Sequence, residues 1–146
     1  MTDREGGPSR VCALGGGHGL ATSLRAVRRY AEEITAVVSI ADDGGSSGRI
    51  RSAIGGPAPG DLRRCFEALG DGSMLTAEMG WRFSGGELDG HALGNLLIAG
   101  LIAASDDLVS ALDEICRLVG AVGRVLPATS IPVDLVADTG EWEVEG

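Results

Sequence analysis

Two short apolar runs, each closed by a glycine-rich segment, constrain this chain more than any other feature. Apart from Arg10 and Ser39, residues 10–14 (RVCAL) and 34–41 (ITAVVSIA) are apolar or β-branched, the pattern of strands buried on both faces of a parallel sheet. Between them Leu20, Leu24, Val27 and Tyr30 fall at helical spacing, with Arg25, Arg28 and Arg29 on the other faces. Together these make a β-α-β unit with a right-handed crossover. The expected class is α/β: a Rossmann-like, three-layer fold with a mostly parallel sheet.

The first run ends in GGGHGL, residues 15–20, which also opens the helix. In that context glycines let backbone amides approach a phosphate, and the helix N-terminus supplies positive potential. Counting from Gly15, the sixth position of a dinucleotide fingerprint is Leu20 rather than Gly or Ala. The Lys-Ser/Thr pair of a Walker loop is also missing. A plain strand–helix turn needs fewer than the four glycines Gly15, Gly16, Gly17 and Gly19, so ligand contact is the better reading. His18 adds a hydrogen-bond donor.

The second run leads into ADDGGSSGR, residues 41–49. In a doubly wound sheet the carboxyl end of this strand lies beside that of the first. Asp42 and Asp43 then come near the glycine loop. Adjacent side chains on extended backbone point opposite ways, so one of the two enters the site directly. Three roles suit it: holding a ribose hydroxyl, binding a hard cation, or acting as a base. Gly44, Gly45 and Gly48 free the backbone, Ser46 and Ser47 offer hydroxyls, and Arg49 offers a fork for phosphate. A solvated turn would have similar composition, but residues 42–60 make a long segment for a compact domain. One short helical turn is expected within it, near residues 48–54.

Further on, Asp61 is expected to N-cap a helix to about Leu69, and Ser73 one to about Arg82. Asp61 is also a candidate second carboxylate for a cation, and Arg63 or Arg64 could reach a phosphate. Residues 91–104 read as a buried helix whose polar exceptions, His91 and Asn95, are one turn apart on one side. Both need partners if buried. Ser105 is expected to cap a last helix ending at Gly120. Residues 122–126 read as a strand, and residues 133–137 and 141–145 as a hairpin around Asp138-Thr139-Gly140.

Composition narrows the partners. A net charge of −9 argues against broad nucleic-acid binding, while Arg49, Arg51, Arg63 and Arg64 cluster near the candidate site. That favours a small anionic ligand. The three cysteines Cys12, Cys65 and Cys116 form no CxxC, which weakens metal-thiolate and disulfide readings. Residues 1–9 read as a frayed leader without a signal-peptide core, and residues 96–104 are too short an apolar run to span a bilayer. The expected location is the cytoplasm, with neither membrane nor nucleic acid as partner.

GGGHGL, AVVSIADDGGSSGRIR, PGDLR, GHALGNLL and GRVLPAT, in this order, resemble the gluconeogenesis factor family. This family sits in the superfamily of the 2-phospho-L-lactate transferase of deazaflavin cofactor synthesis. The resemblance runs from Val11 to about Val144. It implies a cytoplasmic protein that binds uridine diphosphate-N-acetylglucosamine and influences cell shape and wall synthesis under gluconeogenic growth. It also implies ligand contacts at Gly15, Gly16, Gly17, Gly19, Asp42, Asp43, His91, Gly94 and Asn95; many members carry Thr where this chain has His18. The transferase branch implies a divalent metal, Mg2+, on Asp43 and Asp61, which would then be catalytic. That branch carries Thr-Gly before its Asp-Asp, whereas this chain has Ile40-Ala41, which favours the nucleotide-sugar branch. The family runs to roughly twice this length, so residues 10–146 are expected to be the N-terminal part of one Rossmann-like domain, incomplete at its C-terminus. A homo-oligomer and a regulatory protein partner stay open.

Overall fold

The computed structural model describes residues 9–41, 44–131, 133, 134, 136–140 and 142–145. The expected leader, residues 1–8, and the acidic pair Asp42 and Asp43 lie outside the described residues.

Strand β1 (Arg10–Gly15), helix α1 (Gly17–Val27) and strand β2 (Glu33–Val38) form the expected β-α-β unit, with β1 and β2 parallel and in register from Arg10 opposite Glu33 to Gly15 opposite Val38. Strand β3 (Arg124–Pro127) adds to the far side of β2, also parallel, giving the order β1-β2-β3. The parallel α/β class is therefore established. Among the described residues the five remaining helices lie between β2 and β3 in sequence: α2 (Gly45–Ile54), α3 (Pro59–Leu69), α4 (Met74–Glu78), α5 (Leu93–Ala103) and α6 (Leu108–Leu118). The terminal hairpin forms as β4 (Val136–Asp138) antiparallel to β5 (Glu143–Glu145), in a separate two-stranded sheet.

Helix α3 is the centre of the core. Its Leu62, Cys65, Phe66, Ala68 and Leu69 are all fully buried, against Leu20 and Leu24 of α1, Val38 of β2, Val125 of β3, and Ile98 of α5. Each such aliphatic or aromatic side chain contributes roughly 1.5–3 kcal/mol by leaving water. Arg28, just past α1, donates from Nη1 to the carbonyls of Ala68 (2.8 Å) and Gly70 (3.0 Å). It thereby satisfies carbonyls that the C-terminus of α3 leaves without helical donors.

Several boundaries differ from the sequence expectation, each for a local reason. The short turn foreseen near residues 48–54 is a ten-residue helix, α2. Its buried face carries Ser46, Ser47 and Ile50, so only one apolar residue marks the period. Asp61 does not cap α3: Ala58 is the N-cap, Pro59 takes the first helical position, and Asp61 lies within the first turn. Ser73 does accept from Thr76 N at 3.5 Å, but α4 stops at Glu78. The cap of α6 is Asp107, accepting from Ser110 N at 2.7 Å, and not Ser105. Helix α5 is apolar apart from Asn95, yet Leu96, Leu97, Leu101 and Ile102 are only half-buried.

Candidate functional site

The glycine turn sits where β1 ends and α1 begins. Gly15 O accepts from Ser39 N at 2.8 Å, which ties the turn to the carboxyl end of β2. Gly17 has φ +62°, a left-handed conformation that glycine adopts without strain. Gly16 is the extended N-cap of α1 and has no side chain to cap the helix, and the first turn holds no acidic residue. The leading N–H groups of α1 have no acceptor within the helix and lie at the positive end of its dipole. His18 and Gly19 are exposed on that first turn.

Asp61 packs under this turn. A Cβ placed on Gly16 would lie 2.6 Å from Asp61 Oδ2 and 3.3 Å from Ser39 Cβ. Asp61 is 7% exposed, and its Oδ1 accepts from Arg64 Nη1 at 2.6 Å. Of the carboxylates expected to share a magnesium ion, Asp61 alone is described, and one of its oxygens is engaged by that guanidinium. Among the described residues no group of three or more His, Cys, Asp or Glu is placed to hold a metal ion.

A buried polar chain runs alongside. Arg63 Nε donates to Asn95 Oδ1 (3.0 Å), Asn95 Nδ2 donates to Ser46 Oγ (3.1 Å), and Ser46 Oγ lies 3.0 Å from His91 Nδ1. Glu67 anchors the far end by accepting from Arg63 Nη1. The donors are ordered by the first of them. A guanidinium only donates, so Asn95 must present its oxygen to Arg63 and its NH2 to Ser46. Ser46 Oγ and His91 Nδ1 share one hydrogen bond, donated by Ser46 when the imidazole proton is on Nε2 and by His91 when it is on Nδ1. Burial, then the charges of Arg49 and Arg82, lowers the His91 pKa, which favours the neutral imidazole.

The structure thus brings Ser46, His91 and Asn95 together, and it places Asp61 against Gly16. Ser47 is buried beside Ser46 on α2, and Gly44 is the exposed N-cap of that helix. Arg49 is exposed and donates from Nη2 to Asp89 O at 2.7 Å, binding α2 to the connector before α5. Sequence reasoning missed Glu67 and Arg82. The i,i+4 spacing of Arg63 and Glu67 could have found the first; nothing in the local pattern marks the second. Cys65 is not a nucleophile candidate, since burial pushes its thiol up to about 12.

Three parallel strands in the order β1-β2-β3 with helices packed on them, and a glycine turn at the carboxyl end of the first, define a protein of the parallel α/β class. The chain belongs to the 2-phospho-L-lactate transferase CofD family, which it matches over residues 11–146. It is 39% identical over 137 residues to the gluconeogenesis factor of Bacillus subtilis, covering 92% of this chain and 43% of that one. It is 46% identical over 145 residues to a provisionally assigned gluconeogenesis factor of Mycobacterium leprae, covering 96% of this chain and 40% of that protein. A crystal structure of a Bacillus halodurans protein superposes with a TM-score of 0.87 at 37% identity, covering 94% of this chain and 46% of that chain. The chain therefore spans less than half the length of these relatives. Among the described residues no helix is long and apolar enough to cross a membrane.

Proposed function

We propose that this chain supplies the phosphate-holding part of a nucleotide-sugar site, with uridine diphosphate-N-acetylglucosamine as ligand. On this reading it acts as a cytoplasmic regulator of cell morphogenesis and wall synthesis rather than as a catalyst. The carrying observation is the N-terminus of α1: glycine-built, without a capping side chain, and without an acidic residue in its first turn. The ligand's diphosphate rests on Gly15, Gly16, Gly17 and Gly19, with His18 as a further donor. Asp42 or Asp43 takes a sugar hydroxyl. Ser46, His91 and Asn95 form a prearranged polar wall. The relatives named gluconeogenesis factor favour this reading.

A second reading, a magnesium-dependent phospholactate transferase, draws on the description of the family and on the buried Asp61 beside the turn. In it Asp43 and Asp61 would hold the ion, which would neutralise charge on the leaving phosphate. The Asp61–Arg64 contact weighs against it, because that oxygen is already engaged.

Calorimetry on the protein expressed from its entire reading frame separates the two. Binding of uridine diphosphate-N-acetylglucosamine that is indifferent to magnesium, with no nucleoside monophosphate released, is the expected result. Binding that requires magnesium and releases a monophosphate overturns the regulator in favour of the transferase. Absence of binding with and without magnesium overturns the nucleotide-sugar reading.

A further inference from the structure

Helix α3 has the glycine turn beside its first residues and a different cavity at its far end. Gly60 in its first turn and Gly70 at its C-cap are separated by about 15 Å of helix rise. The far cavity, of about 570 Å³, is lined by Arg25 and Arg28 from the end of α1, by Glu67, Gly70 and Asp71 from the end of α3, and by Thr76 of α4, among others. None of its lining residues belongs to the glycine turn, and Ser46, His91 and Asn95 do not reach it.

Arg25, Arg28, Glu67 and Asp71 are its charged lining residues, two of each sign. Opposite charges on one wall attract each other, yet among the described residues no ion pair joins these four. Three are engaged elsewhere. Arg28 Nη1 donates to the carbonyls of Ala68 and Gly70. Glu67 Oε1 accepts from Arg63 Nη1. Asp71 Oδ1 accepts from Ser73 N at 2.8 Å and lies 3.3 Å from Thr76 Oγ1. Arg25 is exposed and makes no hydrogen bond or ion pair among the described residues. A cavity of this size suits a small molecule. A wall whose cations and carboxylates do not neutralise one another matches a ligand that carries both charges itself. Its carboxylate meets the fork of Arg25 beside Arg28, and its ammonium meets the second oxygen of Glu67 beside Asp71.

We infer that this cavity is an effector site for a free amino acid, bound as its zwitterion and coupled through Glu67 to the candidate functional site. Glu67 belongs to both places: it lines the cavity, and it anchors the buried chain that continues through Arg63 and Asn95 to Ser46. An ammonium on the second oxygen of Glu67 competes for the charge that now holds Arg63 Nη1. Arg63 then redistributes its donors between Glu67 and Asn95. The pair has little room to give outward, since a Cβ on Gly80 would lie 3.1 Å from Glu67 Oε1 and 3.4 Å from Arg63 Nη1. The coupling is reciprocal, so whatever binds at Asn95 also changes the affinity for the amino acid. The site itself does not depend on the nucleotide-sugar reading.

The test titrates isotope-labelled protein, expressed from its entire reading frame, with each of the twenty standard L-amino acids and with the N-acetyl and α-amide derivatives of each. Acetylation removes the ammonium and amidation removes the carboxylate. The expected result is saturable backbone shifts at residues 70–72, 76, 77 and 80 with at least one free amino acid, and none with its two derivatives at the same concentration. The side-chain amide signal of Asn95 should move in step with that occupancy. Arg25→Gln should weaken the binding roughly tenfold, the loss of one charge-assisted contact. Arg25 is exposed, so its substitution leaves the fold intact, which unchanged shifts of distant core amides would verify. Silence of all twenty amino acids at these residues overturns the site, as does equal binding of the blocked derivatives or indifference to Arg25→Gln. Saturation with the Asn95 signal unmoved overturns the coupling and with it the effector role. Failure of nucleotide-sugar binding with these shifts intact would remove the proposed function and leave this site standing.

Discussion

The carboxylate of Asp61 occupies the space that a side chain on Gly16 would need. An added Cβ there comes within 2.6 Å of Asp61 Oδ2, although the two residues are 45 positions apart in sequence. Gly16 is extended rather than left-handed, so the demand for glycine is steric, not conformational. Gly16→Ala should displace Asp61 and loosen its bond to Arg64, at a cost of about 1–3 kcal/mol. Gly19→Ala is the contrast: an added Cβ meets nothing within 4 Å, at a helical position. That variant should be neutral or more stable by up to about 1 kcal/mol. Chemical denaturation of the pair measures the difference, and equal effects would refute the steric account.

The buried chain from Glu67 to His91 carries a second expectation. Asn95→Leu leaves both Arg63 Nε and Ser46 Oγ without the partner that now serves them. The cost should be about 2–4 kcal/mol, since buried polar groups lose bonds that water cannot replace. Ser46→Ala removes one end only and should cost about 1 kcal/mol. A double-mutant cycle of Asn95→Leu with Ser46→Ala should show coupling. Simple additivity would mean that the chain does not act as a unit.

The pH dependence follows from His91. Its pKa lies below the ordinary 6.5 because burial disfavours the imidazolium, and Arg49 and Arg82 repel its charge. The unfolded chain therefore binds this proton more readily than the folded one. The stabilising contribution is complete above pH 6.5 and declines as the pH falls through 6.5 toward the lower folded value. Asp71, Asp107 and Asp113 sit below their ordinary 3.8, so their losses come at more acid pH. The melting temperature should fall between about pH 7.5 and pH 5.5, and His91→Asn should remove most of that fall. An unchanged slope in the variant would assign the effect elsewhere.

Arg28 gives a structural prediction remote from the site. Its Nη1 serves two carbonyls at the end of α3. Arg28→Met keeps most of the aliphatic stem and loses both bonds, so the expected loss is about 1–2 kcal/mol. Hydrogen exchange should rise first at Gly70 and Asp71, whose amides hold the turn after α3 through Phe66 O and Val119 O. Uniform loosening across the sheet would contradict this.

Much of the architecture was legible because it is local. The period of Leu20, Leu24 and Val27, the apolar runs of β1 and β2, and the Asp138-Thr139-Gly140 turn all encode their element within a few residues. Helix α2 was not legible, since two of its three buried residues are serines. Ser46 is tolerated inside for reasons lying 45 to 49 residues away, at His91 and Asn95. The position of Asp61 was misread for a related reason. At the sequence level an aspartate after Pro-Gly is a natural cap, while its contact with Gly16 depends on how α3 packs against α1.

The sequence by itself determined the β-α-β unit, the glycine turn and the family, because backbone propensity, hydrophobic period and motif order are properties of neighbouring residues. Tertiary structure alone decided what the polar residues do. It set Asp61 against Gly16, turned Arg49 to the carbonyl of Asp89, and linked Ser46, Asn95, Arg63 and His91 into one chain. Hydrogen bonds act over about 3 Å in space regardless of separation along the chain, so such partners are chosen only when the core has packed.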